Sequence, residues 1–271
     1  MQTIHLNTTT QIPLLGFGTW QLTGEEARKP LETALEIGYR HIDTADYYHN
    51  HQIIGTVLEE SGLPREAVFV TSKVWRSDLR SEDLIRACER TLDELKLTYL
   101  DLYLIHWPNK EVPIMETLEA MQELKDNGLI RAIGVSNFDL QHIDEAVKTG
   151  IEITNNQVEL HPSFNQKRLR EHCAKNHVTI TAYSPIAQGM DLKLKVVTQL
   201  AKQYEIKPSQ VILAWLRQSG IIAIPKATSK AHIKENYESL LVQLKPEDMN
   251  KMDEIEQQPR MVLPDFAEFR D

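Results

Sequence analysis

From Asp43 to His49 the chain reads Asp-Thr-Ala-Asp-Tyr-Tyr-His, which puts two carboxylates, two phenols and one imidazole side by side. These are proton-handling groups: a carboxylate holds a cation or takes a proton, a phenol gives one, and an imidazole does either near neutral pH. The segment follows a β-type run, Tyr39 to Ile42, and turns polar at Asp43. An acid therefore stands where a buried strand runs into a tyrosine-bearing loop. Taken alone, the stretch is better explained blandly, with Asp43 capping the next turn and Tyr47 and Tyr48 as loop aromatics. His41, Asp43, His49, His51 and His106 also invite a metal reading. His41 and Asp43 share a strand face, but no familiar metal motif accompanies them, and no metal is expected.

The background composition is that of an ordinary globular protein: 271 residues, 41% hydrophobic, 25% charged. This length fits one large α/β domain or two smaller ones, and it buries enough surface to need no disulfide staples. Cys88 and Cys173 lack CxxC spacing and read as core thiols of a reducing compartment. The first residues carry neither a basic n-region nor an apolar h-region, so no secretion signal is expected. No apolar run approaches the roughly 20 residues of a membrane span. A net charge of -9 with mixed signs argues against general nucleic-acid binding, while leaving room for a local basic phosphate pocket. A cytoplasmic monomer with no membrane or nucleic-acid partner is the expectation.

The elements that must position the polar residues alternate along the chain. Thr3 to Leu6 and Gln11 to Leu14 read as an opening hairpin. Leu15 to Thr19 is an apolar run broken by Gly16 and Gly18. It lacks the third, helix-opening glycine of a dinucleotide fingerprint, so its glycines serve tight packing at a strand end. Strands then follow at Arg40–Asp43, Val68–Val74, Leu100–Ile105, Ile130–Val135, Ile153–Val158, Thr179–Tyr183 and Ile221–Ile224. Between and after them lie helical periods at Glu25–Ile37, Gln52–Ser61, Glu82–Leu95, Ile114–Asn127, Leu140–Lys148, Lys167–Asn176, Leu192–Tyr204, Pro208–Ser219, His232–Leu240 and Pro246–Gln257. Mostly continuous apolar strands, each followed by a helix, call for a parallel sheet covered on both faces. Eight such units in about 250 residues is the arithmetic of a (β/α)8 TIM barrel, here with an N-terminal β-hairpin and additional C-terminal helices. An open doubly wound sheet is the runner-up, weakened by the missing glycine fingerprint.

In a barrel the chemistry collects at the C-terminal ends of the strands. In order, those ends give Trp20; Asp43 with Tyr48; Lys73 with Trp75; His106 with Trp107; Ser136 with Asn137; Gln157; Tyr183 with Ser184; and Lys226. An acid, a phenol, an ammonium and an imidazole converging on one mouth are far less common than lone polar residues at strand ends.

Seven segments carry a resemblance: Asp-Thr-Ala-x-x-Tyr, Ser-Lys-Val-Trp, Leu-Ile-His-Trp-Pro, Gly-Val-Ser-Asn-Phe, Asn-Gln-x-Glu-Leu-His-Pro, Ala-Tyr-Ser-Pro and Ile-Pro-Lys. Taken together and in this order, they resemble the aldo-keto reductase family, most closely small bacterial members such as the diketogluconate reductases. The match spans nearly the whole chain, so residues 1–271 are expected to form one barrel domain. The resemblance implies reduction of a small aldehyde or ketone by hydride from NADPH. It assigns the catalytic roles to Asp43, Tyr48, Lys73 and His106. Tyr48 would protonate the carbonyl oxygen, with its pKa lowered by Lys73. Asp43 would hold Lys73 charged and in place, and His106 would orient the carbonyl. A lysine at the mouth also suits hydride chemistry better than a cation site. A cofactor-binding regulatory protein of the same fold, with little turnover, is the alternative function.

The resemblance further implies that Ser136, Asn137 and Gln157 hold the nicotinamide carboxamide. It implies that Tyr183 stacks on the nicotinamide ring and that Ser184 beside it belongs to the same contact. Lys226, His232, Glu235 and Asn236 fall on the adenosine side. From the residues alone, Ser136 and Asn137 could instead cap the helix starting near Asp139, and Tyr183 could be a core aromatic. The chain departs from the family at Ala227, where Ser is usual, and at His232, where Arg is usual. Without that Arg, bidentate phosphate binding and adenine stacking are weakened, so a softened preference for NADPH with NADH tolerated is expected. His51 replaces a Glu that mainly starts the next helix. Trp20, Trp75 and Trp107 would wall an apolar pocket with Tyr48 and His106, and a short tail reaching Phe266 or Phe269 would supply one lid edge.

Overall fold

The computed structural model describes residues 2–270. Eight parallel strands run in sequence order: β3 (Phe17–Gly18), β4 (His41–Asp43), β5 (Phe69–Val74), β6 (Leu102–Ile105), β7 (Ile133–Ser136), β8 (Asn155–Glu159), β9 (Thr179–Tyr183) and β10 (Ile222–Ala223). A parallel bridge between Leu15 and Ala223 joins the first edge to the last. Gly16 N donates to Ala223 O at 2.8 Å and Gly18 N to Pro225 O at 3.2 Å, which closes the barrel. A Cβ at Gly18 would come within 2.6 Å of the Ile224 carbonyl oxygen, so glycine is what lets this seam close. The expected first and last strands are cut to two residues each, because each keeps a regular ladder only to its inner neighbour, β4 or β9, and meets across the seam through a single bridge.

The first two strands, β1 (Thr3–His5) and β2 (Gln11–Pro13), form the expected antiparallel hairpin. Leu6, Ile12 and Leu14 pack with Phe69, Leu102, Leu104, Ala132 and Ile222, so the hairpin plugs the N-terminal end of the barrel and leaves the other end for chemistry.

The covering helices are α1 (Arg28–Ile37), α2 (His51–Glu60), α3 (Ser81–Leu95), α4 (Ile114–Asp126), α5 (Leu140–Val147), α6 (Lys167–Lys175), α7 (Lys195–Tyr204), α8 (Pro208–Gln218), α9 (Lys230–Glu238) and α10 (Pro246–Asp253). Several boundaries differ from expectation by a few residues, and three of the differences concern helix starts. The first helix is preceded by a 3-10 turn at Gly24–Ala27. The expected helix from Leu192 is split, because Leu194 adopts an extended ψ of 135° and separates a 3-10 turn from α7. The helix expected from His232 starts two residues earlier, where the Ser229 side chain accepts from His232 N. Similarly, α5 is capped by Asp139, which accepts from His142 N at 2.9 Å. That leaves Ser136 and Asn137 free of the capping role. Among the described residues, no helix is long and apolar enough to cross a membrane. Cys88 and Cys173 are both buried free thiols.

Candidate active site

Asp43 ends β4 in register with Gly18 on one side and Thr71 on the other. Lys73 lies two residues further along β5, and the period of a strand turns both side chains into the barrel. Lys73 Nζ donates to Asp43 Oδ1 at 2.6 Å and to Thr44 O at 2.8 Å, and lies 3.4 Å from the Tyr48 hydroxyl. The second Asp43 oxygen accepts from Gln157 Nε2 at 2.7 Å. The pair is fully enclosed, with the Lys73 side chain 0% and the Asp43 side chain 2% exposed. Burial pushes the Asp43 carboxyl up and the Lys73 ammonium down; each charge opposes the effect on the other. A 2.6 Å contact between them, with further polar contacts on both, is the arrangement that keeps such a pair ionised.

Tyr48 comes from a 3-10 turn, Asp46–Tyr48, that ends at His49 in the left-handed region with φ 52°. Two contacts hold this turn. Arg90 of α3 pairs with Asp46 at 3.0 Å. The buried Asn50 amide accepts from Thr44 Oγ1 at 2.6 Å and donates to Thr19 O at 3.1 Å and Leu22 O at 2.9 Å. One side chain thus ties together the loops that carry Trp20 and Tyr48. Burial and then the Asp43 charge raise the Tyr48 phenol well above its ordinary value. The net shift is therefore upward, where a lowering by Lys73 was expected, because burial and the Asp43 carboxylate outweigh the ammonium.

His106 ends the run after β6 with its ring 5.6 Å from that of Tyr48. Burial, and then the Lys73 charge, pull the imidazole well below its usual range, so it is neutral. Its Nδ1 is buried and takes no hydrogen bond among the described residues. Asn137 fixes the His106 backbone by donating from Nδ2 to the His106 carbonyl at 2.9 Å.

Around these groups the aromatics form a cup. Trp75 stacks on Tyr47 with centroids 4.0 Å apart and meets His106 edge-on at 5.1 Å. Phe266 stands edge-on to both Trp75 and Trp107, at 5.6 and 5.5 Å, and Phe269 lies 5.8 Å from Trp107. Trp20 is the exposed rim, 4.8 Å from the Tyr48 ring. The tail thus supplies the expected lid edge. Tyr47, read from the sequence as a loop aromatic, is an exposed part of the pocket wall stacked on Trp75.

On the opposite side of the mouth Ser136 is in register with Gln157, and Asn137, at φ 62°, donates its backbone N–H to Gln157 O at 3.0 Å. The Tyr183 hydroxyl donates to Asn137 Oδ1 at 2.8 Å, and Ser184 follows at φ 48°. The hydroxyl of Ser136 and the amides of Asn137 and Gln157 combine donors and acceptors, the set a carboxamide needs, beside a half-buried phenol ring. Lys226 and His232 are exposed, Asn236 is buried, and the Glu235 carboxylate accepts from Ser209 Oγ.

The residues of the metal reading do not meet. His41 bonds Thr71 Oγ1 inside the barrel at 3.1 Å. His51 bonds Ser72 Oγ at 3.0 Å and faces Glu94 at 3.3 Å, on the far side of β5 from Lys73. That Ser–His–Glu arrangement is buried between strand and helices, with Ser72 0% and His51 1% exposed, so no substrate reaches it. His49 is exposed at the rim. Among the described residues no group of three or more His, Cys, Asp or Glu could hold a metal ion.

One functional element is missing from the sequence reading. The Glu159 carboxylate accepts from Met261 N and Val262 N, both at 2.8 Å, and pairs with His161, which also contacts Asp191. Glu268 reaches Arg76 at 3.2 Å, and Arg270 N donates to Asp139 at 2.6 Å. These acids clamp the tail over the pocket. Glu159 and His161 stand in the Asn-Gln-x-Glu-Leu-His-Pro segment, so the signal was present without a role attached. Glu159→Gln, which leaves the two tail N–H groups with one acceptor between them, is expected to cost about 1–3 kcal/mol of local order. The tail should become cleavable by protease, and KM for the carbonyl should rise with kcat little changed. Limited proteolysis with steady-state kinetics checks both.

Comparisons with known proteins agree with this geometry. The model of the Aldo/keto reductase family matches residues 14–257. A 9,11-endoperoxide prostaglandin H2 reductase of Trypanosoma cruzi is 42% identical over 95% of this chain and 93% of its own length. A glyoxal reductase of Bacillus subtilis is 41% identical over 96% of this chain and 94% of its own. The solved structure of MGS-M4, an aldo-keto reductase from a Medee basin deep-sea metagenome library, superposes with a TM-score of 0.93 at 32% identity, covering 98% of each chain. With a closed eight-stranded barrel, a family match across most of its length and relatives that are named reductases, this chain belongs to the aldo/keto reductase family, and it is an oxidoreductase that works with a nicotinamide cofactor.

Proposed function

We propose that the protein reduces small aldehydes, ketones and dicarbonyls to alcohols with NADPH, acting as one barrel domain in the cytoplasm and needing no partner chain. The observation that carries this is the Lys73 ammonium, bound to Asp43 and 3.4 Å from the Tyr48 hydroxyl, directly beside a neutral His106. The nicotinamide, when bound, supplies the hydride. The protein's own part is to hold the carbonyl, exclude water and deliver a proton. Neutral His106 donates a hydrogen bond to the carbonyl oxygen and orients it between the aromatic walls. Tyr48 stays protonated through neutral pH and gives its proton to that oxygen as negative charge develops there. Lys73 then stabilises the phenolate that remains. This interaction is much stronger in the transition state than before it, which is the kind that raises kcat. Ser136, Asn137 and Gln157 would hold the carboxamide, with Tyr183 and Ser184 against the ring face. Lys226, His232, Glu235 and Asn236 would meet the adenosine end, where the first turn of α9 offers N–H groups to a phosphate. A binding protein with little turnover has no need of a buried ammonium beneath a phenol.

Turnover of methylglyoxal with NADPH tests the function: steady oxidation of NADPH is expected, and its absence across a panel of small carbonyls would overturn the reading. The cofactor preference is separately measurable. With Ala227 and His232 on the adenosine side, the ratio of kcat/KM for NADPH over NADH is expected to stay below about a thousandfold, about 4 kcal/mol. His232→Arg should raise it roughly tenfold by restoring a planar, always-charged phosphate ligand.

A further inference from the structure

The Gln157 side chain sits at the junction of two groups of residues. Its backbone is in register with Ser136 and accepts from Asn137 N, which places it in the proposed nicotinamide cradle. Yet its amide Nε2 donates at 2.7 Å to Asp43 Oδ2, the oxygen that Lys73 leaves unused. Gln157 is 2% exposed and reaches Asp43 across the barrel interior, from β8 to β4. A primary amide has two N–H donors and one acceptor. With one N–H on Asp43, the second N–H and the Oε1 take no hydrogen bond among the described residues, and these are the atoms a carboxamide would use.

We infer that Gln157 is a positioning residue for proton delivery as well as a cofactor ligand: its amide holds the Asp43 carboxylate ionised and aligned under Lys73. The inference rests on the proposed proton-delivery role of Asp43, Lys73 and Tyr48. A carboxylate sealed in a barrel needs every oxygen paired. Lys73 serves one oxygen and is itself shared with Thr44 and Tyr48, so among the described residues only Gln157 serves the other. Without the amide, Asp43 would gain a proton more readily or rotate towards Lys73. Either change draws the ammonium away from the position in which it supports Tyr48. Lys73 on β5 and Tyr48 on the following turn interact with Asp43 directly; His41, His51 and His106 sense the Lys73 charge, and Tyr183 senses Tyr48. Burial holds His41 down to about 3, and His106 is likewise neutral, while Tyr48 and Tyr183 are raised. Over the neutral range Asp43 is therefore the group whose protonation Gln157 controls.

Gln157→Met keeps the volume and removes both donors. Its test is urea unfolding of the protein stripped of cofactor, at several pH values. The amide lowers the folded pKa of Asp43, and removing it raises that pKa further above the unfolded value. The variant should therefore be less stable than the parent at about pH 8, by tenfold or so in the folding equilibrium. The gap should narrow as pH falls and Asp43 takes up a proton. The acid limb of the kcat profile at saturating NADPH should move up by about one pH unit. A gap that is constant with pH, with an unmoved kcat profile and only a weaker Kd for NADPH, would leave Gln157 as a cofactor ligand alone and overturn the inference. Should Gln157→Met fail to fold, Gln157→Glu serves instead. As a protonated acid it can still donate to Asp43, and its stability should fall away as pH rises and two carboxylates compete for one proton. The pH dependence of the parent, reproduced in that variant, would equally overturn the inference. Loss of turnover in Tyr48→Phe is read independently, so failure of the proton-delivery reading is distinguishable from failure of this one.

Discussion

Tyr48→Phe is expected to lower kcat by about a hundredfold to ten-thousandfold, the usual contribution of a positioned general acid. It should leave the Kd for NADPH within about threefold, since the lost hydroxyl touches only Lys73 among the described residues. The change keeps the ring that packs 4.8 Å from Trp20 and 5.6 Å from His106, so the pocket wall survives. A small residual rate is expected from water donating the proton, because His106 still orients the carbonyl. Fluorescence titration with NADPH and steady-state kinetics on one aldehyde separate the two quantities.

Lys73→Met has the second large effect, and it is on stability as well as rate. It removes the ammonium that supports the phenolate and leaves a buried carboxylate with Gln157 as its remaining side-chain contact. Breaking one side of a buried pair costs about 3–5 kcal/mol. The sign with pH follows from Asp43. Once Lys73 no longer lowers it, its folded pKa rises further above the unfolded value. The destabilisation is then full above that folded pKa and relieved as pH falls through it. Adding Asp43→Asn to Lys73→Met should recover much of the stability at neutral pH and none of the activity. Chemical unfolding of the two single variants and the double variant gives the coupling directly. Equal stability for Lys73→Met and the double variant would mean that Asp43 is not held as an ion.

The four polar residues at the mouth were legible because strand period and barrel topology do most of the work. Once β4, β5 and β6 are parallel neighbours, Asp43, Lys73 and the residue after Ile105 must end up at one opening. Their order of contact was legible as well: carboxylate to ammonium, ammonium to phenol. The direction of the Tyr48 shift was not, since it depends on how close Asp43 sits to Lys73 and how dry the cavity is, which spacing along a chain does not encode. Gln157 was placed in the cradle from its motif, but its bond to Asp43 crosses from β8 to β4 and has no local signature. The tail clamp was missed for a similar reason. Glu159 and the Met261–Val262 amides lie far apart in sequence, and the tail has no periodicity to read. The two seam strands and the split before α7 are among the elements that deviated. In both places a backbone conformation imposed by packing overrode an apolar run.

The proposed mechanism has Tyr48 deliver the proton while hydride reaches the carbonyl carbon from the cofactor. Its most direct test is product analysis after turnover of methylglyoxal with NADPH carrying deuterium at both nicotinamide C4 positions, run on the parent and on Tyr48→Phe. One deuterium on the carbinol carbon per NADPH consumed is expected for the parent, with the same labelled product forming at least about a hundredfold more slowly in the variant. Unlabelled product, or labelled product formed equally fast by Tyr48→Phe, would contradict the account.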